Sequence, residues 1–177
     1  MEASLENKIK NIKLLILDVD GVLTNGLIFY GSNNTEMRGF HIHDGLGIKL
    51  LQKMKVAVAI ISAKQSESVM RRINDLHIQH YYLGHEHKLP AYEELKKKLE
   101  LADHEVAYMG DDLPDLPLLA RAAFAITVPE APDVIKKQAD YITIHQAGQG
   151  AVREVCELIM QVKDHDGYHA ILQSYLN

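Results

Sequence analysis

The sequence predicts an α/β protein: a doubly wound, mostly parallel sheet with helices on both faces and a small β-hairpin inserted after the first strand. Three observations predict it. Short apolar runs alternate with helix-period segments along the whole chain. The runs are continuous rather than alternating, as in strands covered on both faces. Several end abruptly in Asp, Ser or Gly, the residues an open α/β sheet presents at its ligand-holding edge.

Taken in order, Leu14-Leu15-Ile16-Leu17 gives a first strand over 13–17, stopped by Gly21 and the turn-prone Thr24-Asn25-Gly26. The insertion spans 26–43, with strand-like runs at 27–30 and 36–42 joined by Gly31-Ser32-Asn33-Asn34. A helix over 45–53 and a strand over 56–61 follow, then a helix over 66–76 and a strand over 81–83. The same alternation continues as helix 89–99, strand 106–109, helix 116–122, strand 124–127, helix 132–138, strand 141–143 and helix 151–163. The tail, 164–177, is polar before it is apolar and reads equally as a short docking helix or an arm reaching a neighbour. The exposed edge of the inserted hairpin calls for a partner, so the chain is expected to form an oligomer through it.

A length of 177 residues fits one domain, 1–177, with a full core. A net charge of -5 argues against a nucleic-acid surface, though not against a local cationic pocket for an anionic substrate. No apolar run approaches a membrane span. Residues 1–13 mix Glu, Asn and Lys without a signal-peptide centre, which together with a single cysteine gives a cytoplasmic expectation. Cys156 sits in a helical pattern and reads as a buried, inert thiol.

The chemistry concentrates where strands end. Asp18 and Asp20 emerge at the close of the first strand, and two close carboxylates are costly to desolvate unless a cation or proton compensates. A bound divalent metal is the obvious compensation. Ser62 follows the second long strand, where its hydroxyl either caps a helix or holds a phosphate oxygen. Lys88 begins a helix after the third, and is either a surface charge or a site cation. Gly110-Asp111-Asp112-Leu113-Pro114-Asp115 forms a second acidic cluster, in which Asp115 reads as the N-cap of the helix containing Pro117. Each is weak alone; their convergence on one rim makes a site. His85-Glu86-His87 also suggests a zinc site, but alternating loop residues point to different sides. Arg71 and Lys96 to Lys98 read as solvated helix faces.

That order of residues resembles the haloacid dehalogenase superfamily of phosphotransferases. The run Asp18 to Thr24, the stretch Phe40-His41-Ile42-His43-Asp44-Gly45, the Gly110 to Pro117 cluster and Gly148-Gln149-Gly150-Ala151-Val152-Arg153-Glu154 are similar, more narrowly, to the 3-deoxy-D-manno-octulosonate 8-phosphate phosphatases. The resemblance implies a Mg2+-dependent phosphatase of lipopolysaccharide precursor synthesis, forming tetramers whose hairpins and tails close neighbouring sites. It implies Asp18 as nucleophile, Asp20 as acid and base, and Lys88 and Ser62 as holders of the phosphoryl group. Mg2+ would be held by Asp18, the backbone carbonyl of Asp20 and Asp111, with Asp112 orienting Lys88 or a metal-bound water. Substrate contacts would come from Asp20, His41, Ile42, His43, Asp44, Gly45, Lys49, Lys64, Arg72 and Lys88. The family usually has Arg where Lys49 and Lys64 stand, and Lys offers a compact charge where Arg offers a two-pronged clamp. A sialic-acid-type 9-phosphate is the alternative substrate, and a catalytically silent scaffold the alternative role. A phosphoacceptor switch is disfavoured, because receiver domains carry the acidic pair after the first strand and the phosphoacceptor on a later one.

Overall fold

The computed structural model describes residues 3–176, so Met1, Glu2 and Asn177 of the expected 1–177 span lie outside the described residues. β1 (Leu14–Leu17) is apolar and buried along its whole length, the signature of a central strand with both faces covered. It pairs in parallel with β4 (Ala57–Ser62) on one side and β6 (Val106–Met109) on the other. β5 (His80–Leu83), β7 (Phe124–Thr127) and β8 (Tyr141–Ile142) extend the two flanks to a parallel six-stranded sheet of order β5-β4-β1-β6-β7-β8. The predicted doubly wound sheet is therefore present. The chain runs outward from β1 to β5, then crosses back to β6, so the switch point lies beside β1, where such sheets bind ligands.

The inserted hairpin is shorter than its sequence suggests. β2 (Phe29–Tyr30) and β3 (Glu36–Met37) pair antiparallel over two residues each, outside the main sheet. The run does not continue as strand to residue 42, because α2 (Ile42–Lys53) has already begun there, with His41 extended as its N-cap. Four apolar residues of the hairpin find no core: Leu27, Phe29, Tyr30 and Met37 are all exposed, as is Ile42 beside them.

Helices α3 (Glu67–Asp75), α4 (Leu89–Leu99), α5 (Leu116–Leu119), α6 (Asp133–Lys136) and α7 (Ala151–Lys163) fill the connections. α3 starts where Ser66 accepts the amide of Val69, an N-cap that satisfies one of the helix's orphan donors. α5 and α6 are a single turn each, shorter than their patterns. Two further helices bracket the chain. The polar composition of residues 1–13 hides α1 (Ala3–Lys10), whose fully buried Ile9 packs the helix toward α7. The tail forms α8 (His165–Gln173), capped by Asp164 and folded onto α7 of its own protomer through buried Tyr168 and partly buried Ile171 and Leu172. Cys156 is fully buried on α7, and burial pushes its thiol well above the usual range, as expected for an inert residue. Among the described residues no helix is long and apolar enough to cross a membrane.

Candidate active site

The carboxyl ends of β1, β4 and β6, with the loop after β5, surround a cavity of about 240 Å³. Asp18, Asp20, Ser62, Lys64, Lys88, Asp111 and Asp112 line it, so the core of the predicted set does converge. Asp18 follows β1 directly and its amide donates to the Met109 carbonyl, which continues the β1–β6 pairing one residue beyond the strand. Two glycines make room for the carboxylates. Gly21 has φ +90°, and a Cβ there would stand 2.1 Å from Asp111 Oδ2. At Gly110 a Cβ would stand 2.4 Å from Asp115 Cγ. Both glycines are thus fixed by the close approach of an acidic side chain.

Lys88 is 4 % exposed and holds two of these carboxylates together. Its Nζ lies 2.8 Å from Asp18 Oδ1 and 2.6 Å from Asp115 Oδ1. Burial opposes the charge on this ammonium, but Asp18 and Asp115 outweigh it and raise its pKa. The surface-charge reading of Lys88 is thereby excluded.

Asp115 is more than the N-cap its sequence position suggests. Its carboxylate makes no capping bond to α5. It accepts from Lys88, from Tyr108 Oη at 2.6 Å, and from the amides of Asp111 at 2.9 Å and Asp112 at 3.1 Å. Of the two roles expected for Asp112, the contact with Lys88 is made by Asp115 instead. Asp112 is exposed and its Oδ1 accepts the amide of Leu113, so Asp115, not Asp112, orients Lys88. The spacing of the three acids was visible, but nothing local distinguishes a capping Asp from one turned inward to a buried lysine.

Asp18, Asp111 and Asp115 each place a carboxylate oxygen within 4.8 Å of the others, a group that could hold a metal ion. Four donors already occupy Asp115, whereas Asp111 Oδ1 is buried with no partner. Burial, then the charges of Asp18, Asp115 and Asp112, push the Asp111 carboxyl up to about 8. Burial likewise raises Asp18, with Asp115 adding to the shift and Lys88 opposing it. Lys88 faces buried Asp18 and Asp115 with half-buried Asp111 beside them, more carboxyl groups than one ammonium can balance, and the Oδ1 atom of Asp111 has no partner of its own. The donor set fits a hard divalent cation, held by Asp18 and Asp111 with Asp115 behind them.

The remaining predicted contacts separate within the protomer. Asp44 is fully buried: its Oδ1 accepts the amide of Arg153 at 2.8 Å, so it ties the start of α2 to the first turn of α7 rather than facing the cavity. Gly45 is also buried, under Arg72. Arg72 donates to the His41 carbonyl at 2.8 Å and stacks over the Phe40 ring, which anchors that loop. His41 and His43 line a different cleft, with Tyr141, His145 and Arg153. Ile42 and Lys49 are exposed on α2, and neither lines the cavity.

A family model for haloacid dehalogenase-like hydrolases matches residues 84–155. A relative from Escherichia coli (strain K12), the 3-deoxy-D-manno-octulosonate 8-phosphate phosphatase KdsC, is 43% identical over 153 residues, spanning 86% of this chain and 81% of its own. The chain belongs to the KdsC phosphatase family. The crystal structure of the Moraxella catarrhalis enzyme, in complex with magnesium, phosphate and KDO, covers 99% of both chains at 40% identity with a TM-score of 0.95. The cobalt-bound form of the deoxy-D-mannose-octulosonate 8-phosphate phosphatase YrbI from Haemophilus influenzae is 37% identical, with a TM-score of 0.86 over 91% of this chain and 98% of its own.

Proposed function

We propose that this chain is a Mg2+-dependent phosphatase that converts 3-deoxy-D-manno-octulosonate 8-phosphate to the free sugar acid and phosphate, a cytoplasmic step of lipopolysaccharide precursor synthesis. The observation that carries this reading is the buried Lys88, which bridges Asp18 and Asp115 in a cavity that Asp20 also lines. Asp18, Asp111 and the backbone carbonyl of Asp20 would hold Mg2+, which would supply charge neutralisation at the phosphoryl group. The chain's own residues do the rest. An Asp18 oxygen bonds to phosphorus as the ester P–O bond breaks, and Asp20 gives its proton to the departing sugar oxygen. Water then attacks the aspartyl-phosphate, its proton returns to Asp20, and phosphate leaves with Asp18 restored. Lys88 and the Ser62 hydroxyl steady the transferring oxygens, and Lys64, exposed at the rim, meets the substrate's carboxylate.

The test is phosphate release from a panel of sugar phosphates with Mg2+ or with EDTA. Fastest Mg2+-dependent release from the octulosonate phosphate is expected. Preference for a sialic-acid-type 9-phosphate would assign Lys49 and Lys64 to a changed specificity, and no release from any ester would leave the silent scaffold.

The exposed apolar side chains of the hairpin support a homotetramer in which hairpins complete neighbouring sites, and exposed Tyr175 and Leu176, beyond the end of α8, support the same role for the tip of the tail. Contacts expected from His41, Ile42, His43 and Lys49 would then be made across a subunit boundary. Light scattering is expected to give a tetramer mass, and Phe29→Ser with Tyr30→Ser to reduce it; a monomeric parent protein would remove the proposal.

A further inference from the structure

Arg38, directly after β3, belongs to no expected contact, yet its side chain is 1% exposed although the hairpin around it lies open to solvent. Two carboxylates hold it there. Its Nε lies 2.6 Å from Asp20 Oδ1 and its Nη2 3.1 Å from Asp20 Oδ2, a two-pronged pair, while Nη1 donates to Glu36 on β3. The parallel donors fix the plane of the Asp20 carboxylate as a single bond could not. Glu36 in turn fixes the guanidinium to the hairpin. Asp20 is one of the residues lining the cavity above Asp18 and Lys88, so the hairpin sets the orientation of a side chain in that wall.

We propose that Arg38 is a positioning residue for the acid–base group: it holds the Asp20 carboxylate in the plane from which one oxygen reaches the leaving oxygen of the ester, with Glu36 bracing it. This rests on the phosphatase reading above. The hairpin thereby contributes to proton transfer as well as to assembly. Positioning matters most where the leaving group needs its proton, as a sugar alkoxide does and a nitrophenolate does not.

The experiment measures kcat/KM, which reports steps up to leaving-group departure, for 3-deoxy-D-manno-octulosonate 8-phosphate and for p-nitrophenyl phosphate. The proteins are the parent, Arg38→Met, Arg38→Lys and Glu36→Gln. The ratio of the sugar value to the nitrophenyl value is expected to fall about 30-fold or more in Arg38→Met. Arg38→Lys, which keeps the charge without the fork, should fall between Arg38→Met and the parent. Glu36→Gln should show the same signature more weakly and reads out the idea if the Met variant folds poorly. An unchanged ratio, with both substrates losing equally, would make Arg38 purely structural. A rise in KM for the sugar phosphate at unchanged kcat would make it a substrate contact; either result overturns the proposal. A parent protein inactive on both esters would instead remove the phosphatase reading, and the role of Arg38 with it.

Discussion

Replacing Asp18 by Asn is expected to abolish phosphate release while leaving the protein at least as stable as its parent. The loss follows from removing the nucleophile, for which a fall of at least about 10⁴-fold is usual. The stability follows from the surroundings. Asp18 is buried beside the like charge of Asp115, and burial together with that charge raises the cost of its ionised form, against the opposing pull of Lys88. An amide of the same size removes that repulsion, and Lys88 keeps Asp115 as a partner at 2.6 Å. Phosphate release and thermal melting of one preparation check both halves. Activity above about one part in 10⁴ of the parent would argue against covalent catalysis by Asp18, and a clearly lower melting point would show that the Lys88–Asp18 contact outweighs the repulsion.

Mg2+ should stabilise the protein, and increasingly so as pH rises. In the folded, metal-free chain Asp111 keeps its proton up to about 8 and Asp18 is also raised, whereas an unfolded carboxylate has the ordinary value of 3.8. Between those values the folded state binds more protons than the unfolded. Its stability from these groups is complete below the ordinary carboxylate range and is lost as pH rises through the folded-state values. Asp103 and Glu154, held below the ordinary range despite partial burial by the donors around them, act in the opposite sense only in acid. From pH 5 to 8, melting in EDTA is therefore expected to show a downward slope that Asp111→Asn flattens. Mg2+ at about 100 times its dissociation constant should add about 2.7 kcal/mol, roughly 5–10 °C for a chain of this size. Equal slopes in parent and variant would contradict the assignment of Asp111.

The sheet and the acids at its edge were legible because both are written in local pattern. Four buried apolar residues in β1 followed by Asp18 need no tertiary information to interpret. What was not legible came from contacts between distant segments. α1 hides because only Ile9 and its neighbours on one face are apolar within a charged segment. Asp115 has the spacing of a helix cap, and only its turn toward Lys88 and Tyr108 shows otherwise. Arg38 sits in a strand-like run, and its pairing with Asp20 depends on how the hairpin folds back toward the loop after β1. Asp44 carries a bond that local pattern does not show either: its carboxylate accepts the amide of Arg153 and so ties two helices together.

The central position of β1 also fixes when the site comes into being. Leu14 pairs with Ala57 on one side and with Val106 on the other, so Asp18 meets Asp111 only after two long crossovers have closed. Such non-local pairing is slow, because chain entropy is lost before the contacts that repay it are made. No short fragment containing Asp18 holds Asp111 or Lys88 as well. A cation therefore has no complete set of ligands on the nascent chain and acts as a latch on the finished fold, not as a template for it.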